Sequence, residues 1–177
     1  MASFRLSGLL FGPISVLKAN SAYRDYSKEE TPHSFGLNTS MDSHTRPLLI
    51  ENIVRSSIYD SAYWRTTCIT LSAASLIEEA VQLQFVAGQV QSRPSSFVCL
   101  LLKLLHLEPE REIISLYLEC EHKYLVALAA FYVRLTYPPT EVYSTLEPLL
   151  LDYRKLRFQS NSGDYRIMNM DSYIDDL

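Results

Sequence analysis

The side chains in this sequence with chemical reach are four histidines, three cysteines and several acidic clusters, and their spacing decides what they can do together. His33, His44, His106 and His122 do not stand at metal-ligand spacing with one another or with the cysteines. Cys99 and His106 fall two helical turns apart and Cys120 lies beside His122, yet neither pair supplies the three or four ligands that a zinc ion takes. No GxSxG elbow, HExxH motif or kinase signature is present. Glu78 and Glu79, adjacent in a helical stretch, point to different sides of it. The run EPERE at 108–112 reads as a helix start, with Pro109 in the first turn and carboxylates near the positive end of the dipole. The single glycine between 88 and 94 makes neither GxxxxGK[ST] nor GxGxxG, so that loop has no argument for cradling phosphate. No catalytic residue, metal or cofactor is expected, and a triad would have to be assembled from distant positions.

With 177 residues the chain is long enough for one domain with a real core and too short for two. Its 47% hydrophobic and 20% charged content matches a helical globular protein and not a disordered one. Net charge is −4, and residues 44–177 hold 12 Lys and Arg against 16 Asp and Glu. Phosphate neutralisation supplies much of the affinity for nucleic acid, so a mildly acidic domain argues against strong direct RNA binding. Cys68, Cys99 and Cys120 are odd in number, widely spaced and set in apolar helical contexts. They read as buried thiols in a reducing compartment, without a disulfide framework.

The element that must organise the rest lies within 122–157. Residues 124–133 are ten apolar or aromatic positions in a row, apolar on every face, as in a helix surrounded by protein. Ten residues fall well short of the roughly 20 that cross a membrane. The Pro138-Pro139 pair ends this central helix, and a further segment restarts at Thr140. Upstream, Thr45 is the expected cap of a first helix with Pro47 in its first turn and Leu49, Ile53, Val54 and Ile58 as its apolar stripe. Ser61 caps a short helix through Trp64. A helix over 72–85 is stopped by Gly88 in the left-handed conformation, and Ser95 or Ser96 opens an apolar helix over 97–106. Ile113, Leu116 and Tyr117 continue the helix that begins at the EPERE run. Around the turn formers at 160–164, Leu156 and Phe158 alternate against Tyr165, Ile167 and Asn169, which predicts a small hairpin. Asp171 caps a last short helix. The expectation is an all-α fold, a single compact domain of six to nine helices with one small β-hairpin near the C-terminus, and with Leu128 and Phe131 fully buried.

Residues 1–43 differ in character and read as a disordered N-terminal extension to a helical domain over 44–177. Residues 1–24 carry Arg5, Lys18 and Arg24 without an acidic residue, a composition shared with transit peptides, although Gly12-Pro13 interrupts any amphipathic helix. Residues 27–43, rich in Ser, Thr, Asn and Pro, read as linker.

The words FYVRLT (131–136), LEPLLLDYRKLR (146–157) and MDSYIDDL (170–177), with IYDSAYWR (58–65), LQFVAGQ (83–89) and the run 94–109 upstream in the same order, resemble the pre-mRNA-splicing factor 38 family. The match runs from near His44 to the end, about three quarters of the chain. This resemblance implies an all-helical, nuclear, non-catalytic scaffold, similar to factors that associate with the tri-snRNP and are needed for spliceosome activation. Its implied partners are other spliceosomal proteins, held through helical or extended segments, with no membrane role. Family members commonly continue with another helix and a charged tail, whose contacts are not carried over.

Within the motif words the candidate partner-binding residues are Tyr63, Trp64, Arg65, Glu147, Tyr153, Arg154 and Lys155. Against this stand the readings that the aromatics at 63 and 64 tuck into the core with Arg65 outside, and that Asp152 pairs internally with Arg134. Tyr153 fits core and surface alike. Two other functions remain in view: an RNA-binding helical module, opposed by the acidic balance, and a mitochondrial helical protein, which rests on residues 1–24 alone.

Overall fold

The computed structural model describes residues 46–177. After a 3-10 turn at Arg46–Leu49 come α1 (Asn52–Asp60), α2 (Ala62–Thr66), a second 3-10 turn (Cys68–Thr70) and α3 (Ala73–Val81). A two-residue ladder, β1 (Gln89–Val90) with β2 (Arg93–Pro94), leads into α4 (Ser96–Leu107), α5 (Arg111–Leu118), α6 (Lys123–Thr136) and α7 (Pro139–Leu146). A third 3-10 turn (Glu147–Leu151) delivers the chain to β3 (Lys155–Gln159), β4 (Tyr165–Asn169) and α8 (Met170–Asp176). The described residues thus form eight α-helices and two small antiparallel strand pairs. None of these helices is long and apolar enough to cross a membrane.

Helix α6 is the axis. Residues 125–133 are buried without a break, including Leu128 and Phe131, and α3, α4, α5, α7 and α8 all pack on it. Each large apolar side chain removed from water contributes about 1.5–3 kcal/mol, so the unbroken run makes this helix a major source of stability. Its alanines keep the packing close. The fully buried Tyr173 of α8 donates its hydroxyl to the Ala127 carbonyl at 3.0 Å. The helix stops at Tyr137, which is extended before Pro138, because a proline disfavours the helical conformation in its predecessor. Second in the core is α4, with eight buried residues. Ser95 caps it, accepting from the Val98 amide at 3.3 Å while donating to the Ala87 carbonyl at 2.5 Å.

The C-terminal hairpin forms where alternation predicts it, pairing Lys155 with Asn169 through to Gln159 with Tyr165. Leu156 and Phe158 point inward and are buried. Ser61 and Ser72 cap α2 and α3 as expected, the latter with Ser75 in a capping box.

Several local expectations fail, the first of them for a tertiary reason. Helix α3 ends at Val81 and not at 85, because the following segment runs into an isolated parallel bridge with β3: the Val86 amide donates to the Arg157 carbonyl at 2.8 Å, and the Gln159 amide to the Val86 carbonyl at 2.9 Å. Gly88 therefore stops nothing and is not left-handed. The left-handed residues near it are Gln91 (φ 50°) and Ser92 (φ 64°), consecutive in the turn between β1 and β2. Two such residues make the mirror-image turn that suits a tight hairpin. Asn161 holds it, its carbonyl accepting from the Gln91 amide at 2.8 Å and its side-chain oxygen from the Ser92 amide at 3.4 Å. At the start, Pro47 lies in a 3-10 turn before α1 and the proposed Thr45 cap falls outside the described residues, as does the 1–43 extension. Ile53, expected in the apolar stripe of the first helix, faces solvent (73% exposed), as does Leu116 (67%). Pro109 precedes α5 instead of sitting in its first turn, and Asn169, not Asp171, occupies the N-cap of α8.

Candidate partner-binding surface

The seven candidates divide between two places. Tyr63, Trp64 and Arg65 ride on α2, which packs on α1, α4 and the 3-10 turn after it. The remainder lie in the stretch from the third 3-10 turn into β3, which packs on α7, α8 and β4.

On α2 the indole of Trp64 is buried, 8% exposed, with Tyr59 edge-on at 5.3 Å and the His106 ring at 5.6 Å. Tyr63 is half-buried and donates to a Glu79 carboxylate oxygen at 3.0 Å. Burial, then that carboxylate, raises the phenol's pKa above its ordinary value, so it stays a neutral donor. Beside the pair opens a cleft of about 230 Å³, floored by Gln82, Leu83 and Phe85, short of the roughly 300 Å³ at which small-molecule sites begin. Arg65 is the one member of this trio turned fully outward, bonding the Asp60 carboxylate at 2.9 Å and the Tyr59 carbonyl at 3.3 Å. An ion pair that exposed contributes little.

In the second place an internal clamp sets the geometry. Arg154 grips Asp152 through Nε, at 3.0 and 2.9 Å from its two oxygens, and through Nη2 at 2.6 Å. Its backbone amide bonds the same carboxylate at 2.9 Å, and Nη1 reaches the Glu121 carbonyl at 2.6 Å, just ahead of α6. The Arg154 hydrogen bonds hold the Asp152 carboxyl below its usual range despite partial burial. Backbone bonds from Asp171 to the Asp152 carbonyl and from Met170 to the Arg154 carbonyl fasten the start of α8 to the same segment. In extended backbone successive side chains alternate sides. With Asp152 and Arg154 fixed inward, Tyr153 is thrown outward, 66% exposed, which resolves the ambiguity left by its sequence context. The expected pairing of Arg134 with Asp152 does not form, since Arg134 Nε donates to the Leu177 carbonyl at 2.6 Å.

The same segment exposes Leu151 (76%), with Leu150 partly open and Glu147 and Lys155 at the surface, and the preceding α7 exposes Tyr143 (76%). Sequence reasoning overlooked Tyr143 and Leu151 because both lie in otherwise helical apolar patterns. It also overlooked the outward residues Arg157, Tyr165 and Ile167 of the hairpin, for which strand alternation was the available signal.

Chemically the described residues are quiet. They include no group of three or more His, Cys, Asp or Glu able to hold a metal ion. Burial pushes the thiol of Cys68 up to about 12 and that of Cys99 up to about 11, so neither is a nucleophile near neutral pH.

Comparison with known proteins follows the same lines. The sequence model described as the PRP38 family matches residues 39–177. A Schizosaccharomyces pombe protein named Pre-mRNA-splicing factor 38 is 53% identical over 131 residues, covering 73% of this chain and 62% of its own length. A Drosophila melanogaster protein of the same name is 46% identical over 132 residues, covering 73% of this chain and 40% of its own length. The chain thus spans less than two thirds of the length of these relatives. A chain from the crystal structure of the Snu23-Prp38-MFAP1(217-258) complex of Chaetomium thermophilum superposes with a TM-score of 0.70 at 42% identity, over 74% of this chain and 71% of that one.

Proposed function

This chain belongs to the PRP38 family, and on that premise we propose that it works in the nucleus as a non-catalytic protein scaffold of pre-mRNA splicing, associated with the tri-snRNP and needed for spliceosome activation. Its helical domain at 44–177 holds segments of other spliceosomal proteins, and residues 1–43 are an extension to it. By analogy with the complex named for the superposed structure, the counterparts of Snu23 and MFAP1 are the first partners to test.

The observation that carries the reading is Tyr153, forced outward by the clamp beneath it and accompanied by exposed Tyr143 and Leu151. Interface energy concentrates in a few aromatic or Arg anchors within a polar rim. Tyr153 is the anchor in this reading, Glu147 and Lys155 are the rim, Arg154 holds the anchor from beneath, and Tyr63 and Arg65 mark a secondary contact. Trp64 acts from beneath, by supporting α2.

Titration of the purified chain with the Snu23 and MFAP1 counterparts tests it. Tyr153→Ala should lose roughly 2 kcal/mol of binding, about 30-fold in affinity, with unchanged folding. Unchanged partner affinity in that variant, or tight salt-resistant RNA binding without partner binding, overturns the reading.

A further inference from the structure

The two edges of the C-terminal hairpin are used very differently. Along the outer edge of β3 the backbone is occupied. The Lys155 carbonyl accepts from Lys123 Nζ, the Arg157 amide donates to the Tyr124 hydroxyl at 3.3 Å, and Val86 takes the Arg157 carbonyl and the Gln159 amide.

Along β4 nothing comparable exists among the described residues. Met170 bonds directly across to Arg154, and Ser160 directly across to Asp164. Hydrogen-bonded and non-bonded pairs alternate in an antiparallel ladder, so Leu156–Met168 and Phe158–Arg166 are the bonded pairs. Tyr165 and Ile167 must therefore turn their amides and carbonyls away from β3. Neither residue's backbone has a hydrogen-bond partner among the described residues. The side chains are open as well, Tyr165 59% and Ile167 72% exposed. Edge strands are usually blunted by proline, by a bulge or by cover, and this one carries an exposed isoleucine at its middle.

Charge selects the occupant. The ribbon is net basic on an acidic protein, with Lys155 and Arg157 on one face, Arg166 on the other and Asp164 alone in opposition. Pairing with a second copy would bring two net-basic ribbons together, which like charges oppose. We propose that the open edge of β4 takes an extended acidic segment of a partner protein as an added antiparallel strand, its apolar side chains over Tyr165 and Ile167 and a carboxylate opposite Arg166. Main-chain bonds supply affinity in this mode, and alternate side chains supply selectivity. The proposal rests on the scaffold reading in taking a protein as occupant, but it uses residues other than Tyr153 and Leu151, so each can fail alone.

The test is amide hydrogen exchange by NMR on the full chain, with a short synthetic peptide alternating Val and Glu, its Lys-for-Glu counterpart, and oligouridylate as probes. The Tyr165 and Ile167 amides should exchange fast in the free protein and become protected with the Glu peptide only. Arg166→Glu should weaken the Glu peptide about fivefold and favour the Lys peptide, a charge swap independent of fold stability. Ile167→Pro removes only an outward amide and should abolish the protection while the other ladder amides stay slow. Protection by oligouridylate alone, concentration-dependent protection without peptide, or no protection at saturating Glu peptide would each overturn the proposal. Tyr153→Ala should leave the peptide response intact.

Discussion

Trp64 and Tyr153 are both aromatic residues flanked by an arginine in a family motif, and their fates are opposite. Trp64 sits on a helical turn whose inner face meets α4, so its indole lies under Tyr59 and His106 while Arg65, next along the helix, swings outward. Tyr153 sits in an extended stretch whose neighbours on both sides are pulled inward by a shared ion pair, so the aromatic is the residue expelled. Backbone period, and not residue type, assigned one to the core and the other to the surface.

The comparison breaks first at Trp64. Trp64→Ala should destabilise the fold by about 3–5 kcal/mol, since it opens a large cavity at the junction of α1, α2 and α4. Thermal unfolding will measure it, and a change below 1 kcal/mol would show that the indole is peripheral. As the single tryptophan, its emission should be blue-shifted and barely respond to partner binding.

A smaller effect is expected at the clamp. Asp152→Asn should cost about 1 kcal/mol, because Arg154 is partly exposed and water screens the pair. The folded-state pKa of Asp152 lies below its ordinary value, so its contribution is fully present above that ordinary value and is lost as pH falls through the folded one. Unfolding midpoints measured from neutral pH into the acid range should converge for wild type and variant at the acid end. Parallel curves would mean that the ion pair does not contribute. The same variant should also weaken partner binding, as Tyr153 loses its enforced orientation.

The smallest effect sharpens the contrast. Tyr153→Ala should alter stability by less than about 0.5 kcal/mol, as expected of an exposed side chain with no internal partner, even where it removes binding. A drop in melting temperature comparable to that of Trp64→Ala would place Tyr153 in the core after all.

Much of this architecture was legible in local pattern. The unbroken apolar run marked α6, the serines at 61, 72 and 95 marked helix starts, and alternation on either side of 160–164 marked the hairpin, because caps and periodicity act within a few residues of chain. The candidate site was legible in part. Tyr153, Arg154 and Lys155 stood out as polar and aromatic residues in an apolar segment, but which of them would face solvent did not.

What the sequence by itself determined is the helical class, the axis at 124–133 and the absence of ligand spacing for a metal. Tertiary structure alone decided the rest. Val86 joined an isolated bridge because β3 offered it a carbonyl and an amide. Gln91 and Ser92 took left-handed turn positions with Asn161 bonding their amides, and Arg154 chose Asp152 while Arg134 went to Leu177. Each of these choices depends on a hydrogen-bond partner brought close only by the folding of another segment, and local propensity carries no record of it.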